Sequence, residues 1–251
     1  MNQRDDSDLK LAVLIDADNV PYSNVKGMME EIAIYGTPTT KRIYADWTRP
    51  NANGWKGVLL EHAITPIQQY SYTSGKNSSD SALIIDAMDL LYSGKLDGFC
   101  IVSSDSDFTR LAIRLRESGM KVFGIGEQKT PKPFISACDR FIFIEVLEDA
   151  KKKKIVSSPT DKKKTEKIIP KIDVETIDLI ESSIEDIAED DGWAFLGDVG
   201  NLIVKKKPEF DPRNYGFTKL TPLMKSLTNL LEIHERESDK KGIKHVYVRL
   251  K

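Results

Sequence analysis

Four aspartates stand where the chain turns out of apolar segments and a fifth at an expected helix start, and their type and spacing suit one kind of chemistry. Asp16 and Asp18 directly follow Leu11-Ala12-Val13-Leu14-Ile15. Asp105 and Asp107 follow Phe99-Cys100-Ile101-Val102 after Ser103-Ser104, and Asp80 stands where a helix is expected to begin. Carboxylates brought together repel one another and are normally tolerated when a hard divalent cation sits among them. Such a cluster binds Mg²⁺ or Mn²⁺ through oxygen and holds phosphate oxygens while water attacks phosphorus in line. No side-chain nucleophile is required. Asn19, three residues after Asp16, can orient a carboxylate, and Lys76, just before the Asp80 turn, can contact a phosphate.

Each acid also has a structural alternative. Ser104-x-x-Asp107 fits a helix capping box with Ser104 as N-cap, and Asp80 complements a helix N-terminus. Asp86 lies among Leu83-Ile84-Ile85 and Ala87-Met88, about 120° around a helix from Asp80. It therefore reads as a buried, hydrogen-bonded acid that supports the ligands, with Asp18 beside Asp16 in a similar supporting role. Trp47, Trp55, Tyr70 and Tyr72 lie at or near expected strand ends, where they stack on bases or anchor loops.

The acids need a scaffold that brings separate strand ends to one rim. Apolar runs without polar alternation at 11–15 and 98–102 read as strands buried on both faces. Further strands are expected at 42–45, 67–70, 121–125 and 141–144, with helices at 23–35, 81–91 and 108–117. Alternating strands and helices predict a doubly wound α/β domain with a mostly parallel sheet, whose ligands bind beyond the carboxyl ends of the strands. After residue 171 the pattern changes. Ile177, Ile180, Ile184, Ile187 and Ala188 recur at helical spacing, 196–204 and 220–227 read as helices, and 231–234 and 245–250 as strands. Three helices with a terminal hairpin predict a winged-helix-like module.

Composition sets the frame. The chain has 251 residues and a net charge of −2. That balance is a cancellation: residues 1–150 carry 16 basic and 21 acidic side chains, 151–171 carry 9 and 2, and 172–251 carry 12 and 16. The division predicts domains at 1–150 and 172–251 joined by a lysine-rich linker at 151–171, itself attractive to nucleic-acid phosphates. No apolar run reaches the roughly 20 residues of a membrane helix, so a cytoplasmic protein is expected. Cys100 and Cys138 read as reduced thiols, and His62, His234 and His245 are too scattered for a histidine metal site.

The first 150 residues resemble the NYN family, a branch of the PIN-like nucleases. The resemblance rests on Leu14-Ile15-Asp16-Ala17-Asp18-Asn19, on Lys76-Asn77-Ser78-Ser79-Asp80 with Asp86, and on Val102-Ser103-Ser104-Asp105-Ser106-Asp107-Phe108. It implies a PIN-like Rossmannoid α/β fold and metal-dependent RNA cleavage. Asp16, Asp80, Asp105 and Asp107 match the family's acidic metal-binding set, and Asn19 its polar position after the first strand. The family's middle motif often reads Lys-Gly-x-Asp, whereas three residues separate Lys76 from Asp80 here.

Residues 172–251 resemble the OST-HTH domain, also called LOTUS, through 190–200 and Lys207-Pro208-Glu209-Phe210-Asp211-Pro212-Arg213-Asn214-Tyr215-Gly216-Phe217. This implies a winged-helix-like fold that binds RNA, with some members contacting protein partners. Lys205, Lys206, Lys207 and Arg213 are the phosphate-contacting candidates, while Trp193, Phe210 and Tyr215 are expected in the core. The combination predicts a Mg²⁺- or Mn²⁺-dependent RNA endonuclease with an RNA-holding module. Two alternatives are a non-catalytic RNA-binding scaffold and a haloacid-dehalogenase-like phosphatase, with Asp16 as nucleophile and Ser103 as its downstream serine, suggested by Asp16-Ala17-Asp18-Asn19-Val20.

Overall fold

A computed structural model describes residues 9–48, 54–70, 78–147, 172–237 and 244–251. The chain forms two compact units, Met1–Pro159 and Thr160–Lys251. The expected linker at 151–171 and Lys76 lie outside the described residues.

The first unit contains strands β1 (Lys10–Asp16), β2 (Thr37–Ala45), β3 (Thr65–Gln68), β4 (Gly98–Val102), β5 (Lys121–Gly126) and β6 (Arg140–Phe143). Its helices are α1 (Val25–Ile32), α2 (Trp55–His62), α3 (Ser78–Tyr92), α4 (Thr109–Glu117) and α5 (Lys132–Ala137). The six strands form one sheet in the order β3-β2-β1-β4-β5-β6, every pair parallel. Alternate residues of β1 enter opposite cores. Leu11, Val13 and Ile15 pack with Val25, Met28 and Ile32 of α1 and Trp55 and Leu59 of α2. Ala12 and Leu14 pack with Leu83 and Ala87 of α3, Leu111 and Leu115 of α4, and Phe134 of α5. Burial on both faces explains the unbroken apolar run.

Several boundaries differ from expectation. Strand β2 begins at Thr37, five residues before the expected 42, because its polar first half pairs with β1 from Lys10 onward. Strand β3 occupies Thr65–Gln68 instead of 67–70, its register fixed by the pairing of Arg42 with Thr65. The expected helix at 23–35 divides into a short 3-10 turn at Tyr22–Asn24 and α1. Helices α2 and α5 were not expected at all.

The second unit has α6 (Val174–Ile187), α7 (Leu196–Lys206) and α8 (Leu220–Ser226), with strands β7 (Ala194–Phe195), β8 (Leu231–Glu237) and β9 (Lys244–Leu250). The expected hairpin of β8 and β9 is joined by β7 to make an antiparallel sheet in the order β7-β9-β8. Ile180, Ile184, Val199, Ile203, Phe210, Leu223, Met224 and Val248 form its core. Phe210 is 3 % exposed, but Trp193 lies outside this core, contrary to expectation. Among the described residues no helix is long and apolar enough to cross a membrane.

Candidate active site

Strands β1 and β4 are adjacent and central, with Ile15 opposite Val102. The chain passes from β1 outward to β2 and β3, then returns to β4 and proceeds to β5 and β6 on the other side. The boundary between β1 and β4 is therefore the topological switch point, where loops diverge and leave a crevice. Both acidic motifs open onto it.

The two motifs fold alike. Asp16 caps a 3-10 turn by accepting from the Asp18 amide at 3.3 Å, and Asp105 caps the next one by accepting from the Asp107 amide at 2.9 Å. The capping-box alternative is thereby corrected: Asp105, not Ser104, is the cap. Ser104 Oγ instead accepts from the Glu127 amide at 2.8 Å, tying the turn to the end of β5. A two-residue Asx cap outcompetes the longer box because the carboxylate already sits beside its amide.

Ser103 joins the motifs. Its hydroxyl donates to Asp16 Oδ2 at 3.0 Å and accepts from the Asp105 amide at 3.1 Å. Asn19 Nδ2 donates to the same Asp16 oxygen at 2.5 Å. Asp16 is 1 % exposed. Burial pushes its carboxyl above the ordinary range, and the bonds from Asn19, Ser103 and the Asp18 amide only partly offset this. The sign follows from linkage: Asp16's contribution to stability is complete below the ordinary carboxylate value and is lost as pH rises through its raised folded value. A cation beside Asp16 acts in the opposite direction.

Asp80, Asp105 and Asp107 each offer a carboxylate oxygen such that these atoms all lie within 4.8 Å of one another. Asp80 is buried in the first turn of α3, Asp105 half-buried and Asp107 exposed. Three oxygen donors with no nitrogen or sulfur suit a hard divalent cation. Asp16 approaches this group of three from the β1 side and is tied to it through Ser103. Asp18 is exposed on the rim. Asp86 points elsewhere: it accepts from the Arg42 guanidinium and, at 2.5 Å, from the Tyr44 hydroxyl, fastening α3 to β2.

Spacing also holds the turn in place. A Cβ on Gly126 would lie 2.6 Å from the Ser103 carbonyl oxygen and 2.8 Å from Thr130 Oγ1. Gly126→Ala is expected to destabilise this unit by about 1–3 kcal/mol through overpacking, lowering its thermal midpoint by several degrees. A midpoint equal to wild type would show that the turn relaxes freely.

The remaining candidates are dispersed. Trp55 is buried against α1's core, and Trp47 Nε1 donates to the Ile67 carbonyl at 2.9 Å. Tyr70 is exposed, and Tyr72 lies outside the described residues. In the second unit Arg213 pairs with Asp211 at 2.6 Å, Lys206 with Asp186 at 2.7 Å, and Lys207 donates to Thr176 at 3.1 Å. Lys205 is exposed in the last turn of α7. Sequence reasoning missed the bridging role of Ser103; its place directly after an apolar strand and two residues before Asp105 was the available signal.

A parallel sheet with helices on both faces and acids on its switch-point rim defines a Rossmann-like domain of PIN type. The NYN domain model matches residues 10–145 and the OST-HTH/LOTUS domain model residues 167–243. The chain belongs to the NYN family, within a nuclease superfamily, and carries an OST-HTH/LOTUS domain of RNA-binding type after it.

Among solved structures, a protein of unknown function from Vibrio parahaemolyticus is 20 % identical, with a TM-score of 0.47, covering 55 % of this chain and 94 % of its own. An uncharacterized protein from Nitrosomonas europaea is 33 % identical, with a TM-score of 0.31, covering 38 % of this chain and 88 % of its own. A protein from Chromobacterium violaceum is 40 % identical, with a TM-score of 0.24, covering 29 % and 76 % respectively. No curated protein matched.

Proposed function

We propose that the chain is a Mg²⁺- or Mn²⁺-dependent RNA endonuclease whose C-terminal domain holds the RNA. The observation that carries this reading is the convergence of Asp80, Asp105 and Asp107, from two separate elements, at the switch point of a nuclease-family sheet. Asp80, Asp105 and Asp107 would hold the cation, and Asp16 would complete the set from the β1 side. When bound, the cation supplies Lewis-acid activation of water and neutralises charge on the phosphate.

The chain's own groups do the positioning. Asn19 and Ser103 fix the Asp16 carboxylate, and Ser103 also fixes the Asp105 turn, so the distance between the two motifs is set by one hydroxyl. Asp18 adds negative charge at the rim, which attracts the cation. Asp86 acts indirectly, by holding the helix that carries Asp80. Lys76 and, in the second domain, the exposed Lys205 would meet RNA phosphates.

The test is cleavage of end-labelled single-stranded and structured RNA with Mg²⁺, with Mn²⁺ or with EDTA. Internal cuts are expected with either cation and none with EDTA; cleavage that survives EDTA would overturn the reading. Cation binding should also stabilise the first domain by about 2.7 kcal/mol at a hundredfold excess over its Kd, seen as a rise in thermal midpoint. RNA binding without cleavage under every condition would favour the scaffold reading.

A further inference from the structure

The outward face of the C-terminal sheet carries rings and guanidinium groups that the core of that unit does not use. Period-two alternation turns Ala194, Leu231 and Val248 inward, with Ile233, Val246 and Leu250 packed beside them. The other face is left with Phe195 on β7, His245, Tyr247 and Arg249 on β9, and His234 and Arg236 on β8. Register brings them side by side: His234 lies opposite Tyr247, Arg236 opposite His245, and Phe195 opposite Tyr247.

These groups are in contact. The Arg236 guanidinium lies 4.3 Å from the centre of the Tyr247 ring and 6.0 Å from that of Trp193. Arg249 lies 4.8 Å from the Trp193 ring centre. The Trp193 and His234 rings are 5.8 Å apart, and Phe195 lies 5.3 Å from His245 and 5.7 Å from Tyr247. Cation–π contacts of this kind hold a long arginine in place over a ring and leave much of its donor set free to face outward.

A groove of about 740 Å³ adjoins this face, lined by Trp193, His234, Arg236, Lys225 and Lys251 among others. Its size falls within the range of small-ligand sites. The charge around it departs from that of its domain. Residues 172–251 hold 12 basic and 16 acidic side chains, and nine of those acids fall within 173–191. Face and groove instead gather Lys225, Arg236 and Arg249, paired with Glu235, Asp191 and Glu232 respectively, and Lys251, whose ammonium donates to the Thr228 carbonyl.

We propose that this face is a stacking platform for unpaired RNA bases, with the adjoining groove receiving a nucleotide and its lysines meeting the phosphates. Every base has a π face, so rings interleaved with arginines bind single strands with little dependence on sequence. A duplex hides those faces in its own stack, so the platform selects unpaired RNA. The inference rests on the reading that the C-terminal domain binds RNA, and it relocates the binding surface. Lys206, Lys207 and Arg213, the cations that stand out in the sequence, are engaged within the domain, whereas Arg236 and Arg249, though also ion-paired, lie over rings on strands whose outward residues alternate with the core.

The test uses the full chain in EDTA and fluorescence anisotropy of a labelled single-stranded oligoribonucleotide. The same sequence as a duplex, and with abasic positions, serves for comparison. Tyr247→Ala and Arg236→Ala should each weaken single-strand binding about tenfold, the loss of one stacked base. Tyr247→Phe, which keeps the ring, should retain wild-type affinity, and Tyr247→Ala should make no difference to the abasic strand. Circular dichroism melts check that each variant is folded. Wild-type affinity in both alanine variants, or equal binding of abasic and normal strands by wild type, would overturn the platform while leaving RNA binding in place. Failure of wild type to bind any of these RNAs would overturn both.

Discussion

Asp105→Asn is expected to abolish cation-dependent RNA cleavage, by about a thousandfold or more, while making the protein more stable in EDTA. The two effects have one origin. Asp105 offers its oxygen within 4.8 Å of those of Asp80 and Asp107, and like charges at that range oppose folding unless a cation lies among them. Asparagine removes one charge and keeps the local structure, because its side-chain oxygen still accepts from the Asp107 amide as Asp105 does at 2.9 Å. The gain in EDTA should be about 1 kcal/mol, given that Asp107 is exposed and Asp105 half-buried, which puts the midpoint a few degrees higher. Adding Mg²⁺ should reverse the order of stability, since wild type gains a ligand and the variant loses most of that gain. The loss of cleavage follows from the several kcal/mol of transition-state stabilisation that a catalytic cation supplies. Undiminished cleavage would move the centre away from Asp105. A variant less stable than wild type in EDTA would mean that Asp105 is there to build the turn and not to hold an ion.

How far the sequence foretells this site depends on the range of the forces involved. Strands β1 and β4 are legible because burial on both faces removes polar alternation, and once they are placed side by side Asp16 and Asp105 must share a rim. Helices α2 and α5 leave weaker traces. Gly57 interrupts α2, and its apolar residues Val58, Leu59 and Leu60 are bunched instead of spaced by three and four. Helix α5 is short and has Pro133 in its first turn, a residue that reads as a breaker although the first turn tolerates it. The register of β3 is set by its partner strand and not by its own residues.

The same distinction applies to the chemistry. Three acidic motifs can be read one by one, but the convergence of Asp80 with Asp105 and Asp107 requires α3 to be held at one height along the sheet. The Ser103 bridge likewise exists only once β1 and β4 are paired. In the C-terminal domain the lysine run 205–207 draws attention by composition, whereas Glu232-Ile233-His234-Glu235-Arg236 and His245-Val246-Tyr247-Val248-Arg249 state the outward face through alternation. Residue type alone points Trp193 to the core. Its position one residue before a two-residue strand, invisible without the third strand of the sheet, puts it on the other face.

The height of α3 is the subject of the second large effect: Asp86→Leu should destabilise the first domain by about 2–4 kcal/mol and depress cleavage about a hundredfold. Asp86 accepts from Arg42 and Tyr44, both on β2, and Tyr44 lies opposite Asp16 in the β1–β2 register. One carboxylate thus links the strand beside Asp16 to the helix that carries Asp80. Tyr44 is fully buried, and burial, reinforced by the bond to Asp86, pushes its hydroxyl far up, so it remains a neutral donor. Leucine leaves that donor without its acceptor, at a cost of about 1–3 kcal/mol. The Arg42 side chain is 32 % exposed and recovers part of its loss from water, which limits the remainder. A displacement of Asp80 by about 1 Å is enough for the hundredfold loss in rate. Tyr44→Phe separates the contributions: with no hydroxyl to strand, Asp86→Leu should cost less in that background than in wild type, giving a coupling of about 1–2 kcal/mol in a double-mutant cycle. Strict additivity would show that the Tyr44 bond carries none of the stability, leaving Arg42 as the partner that fixes the helix.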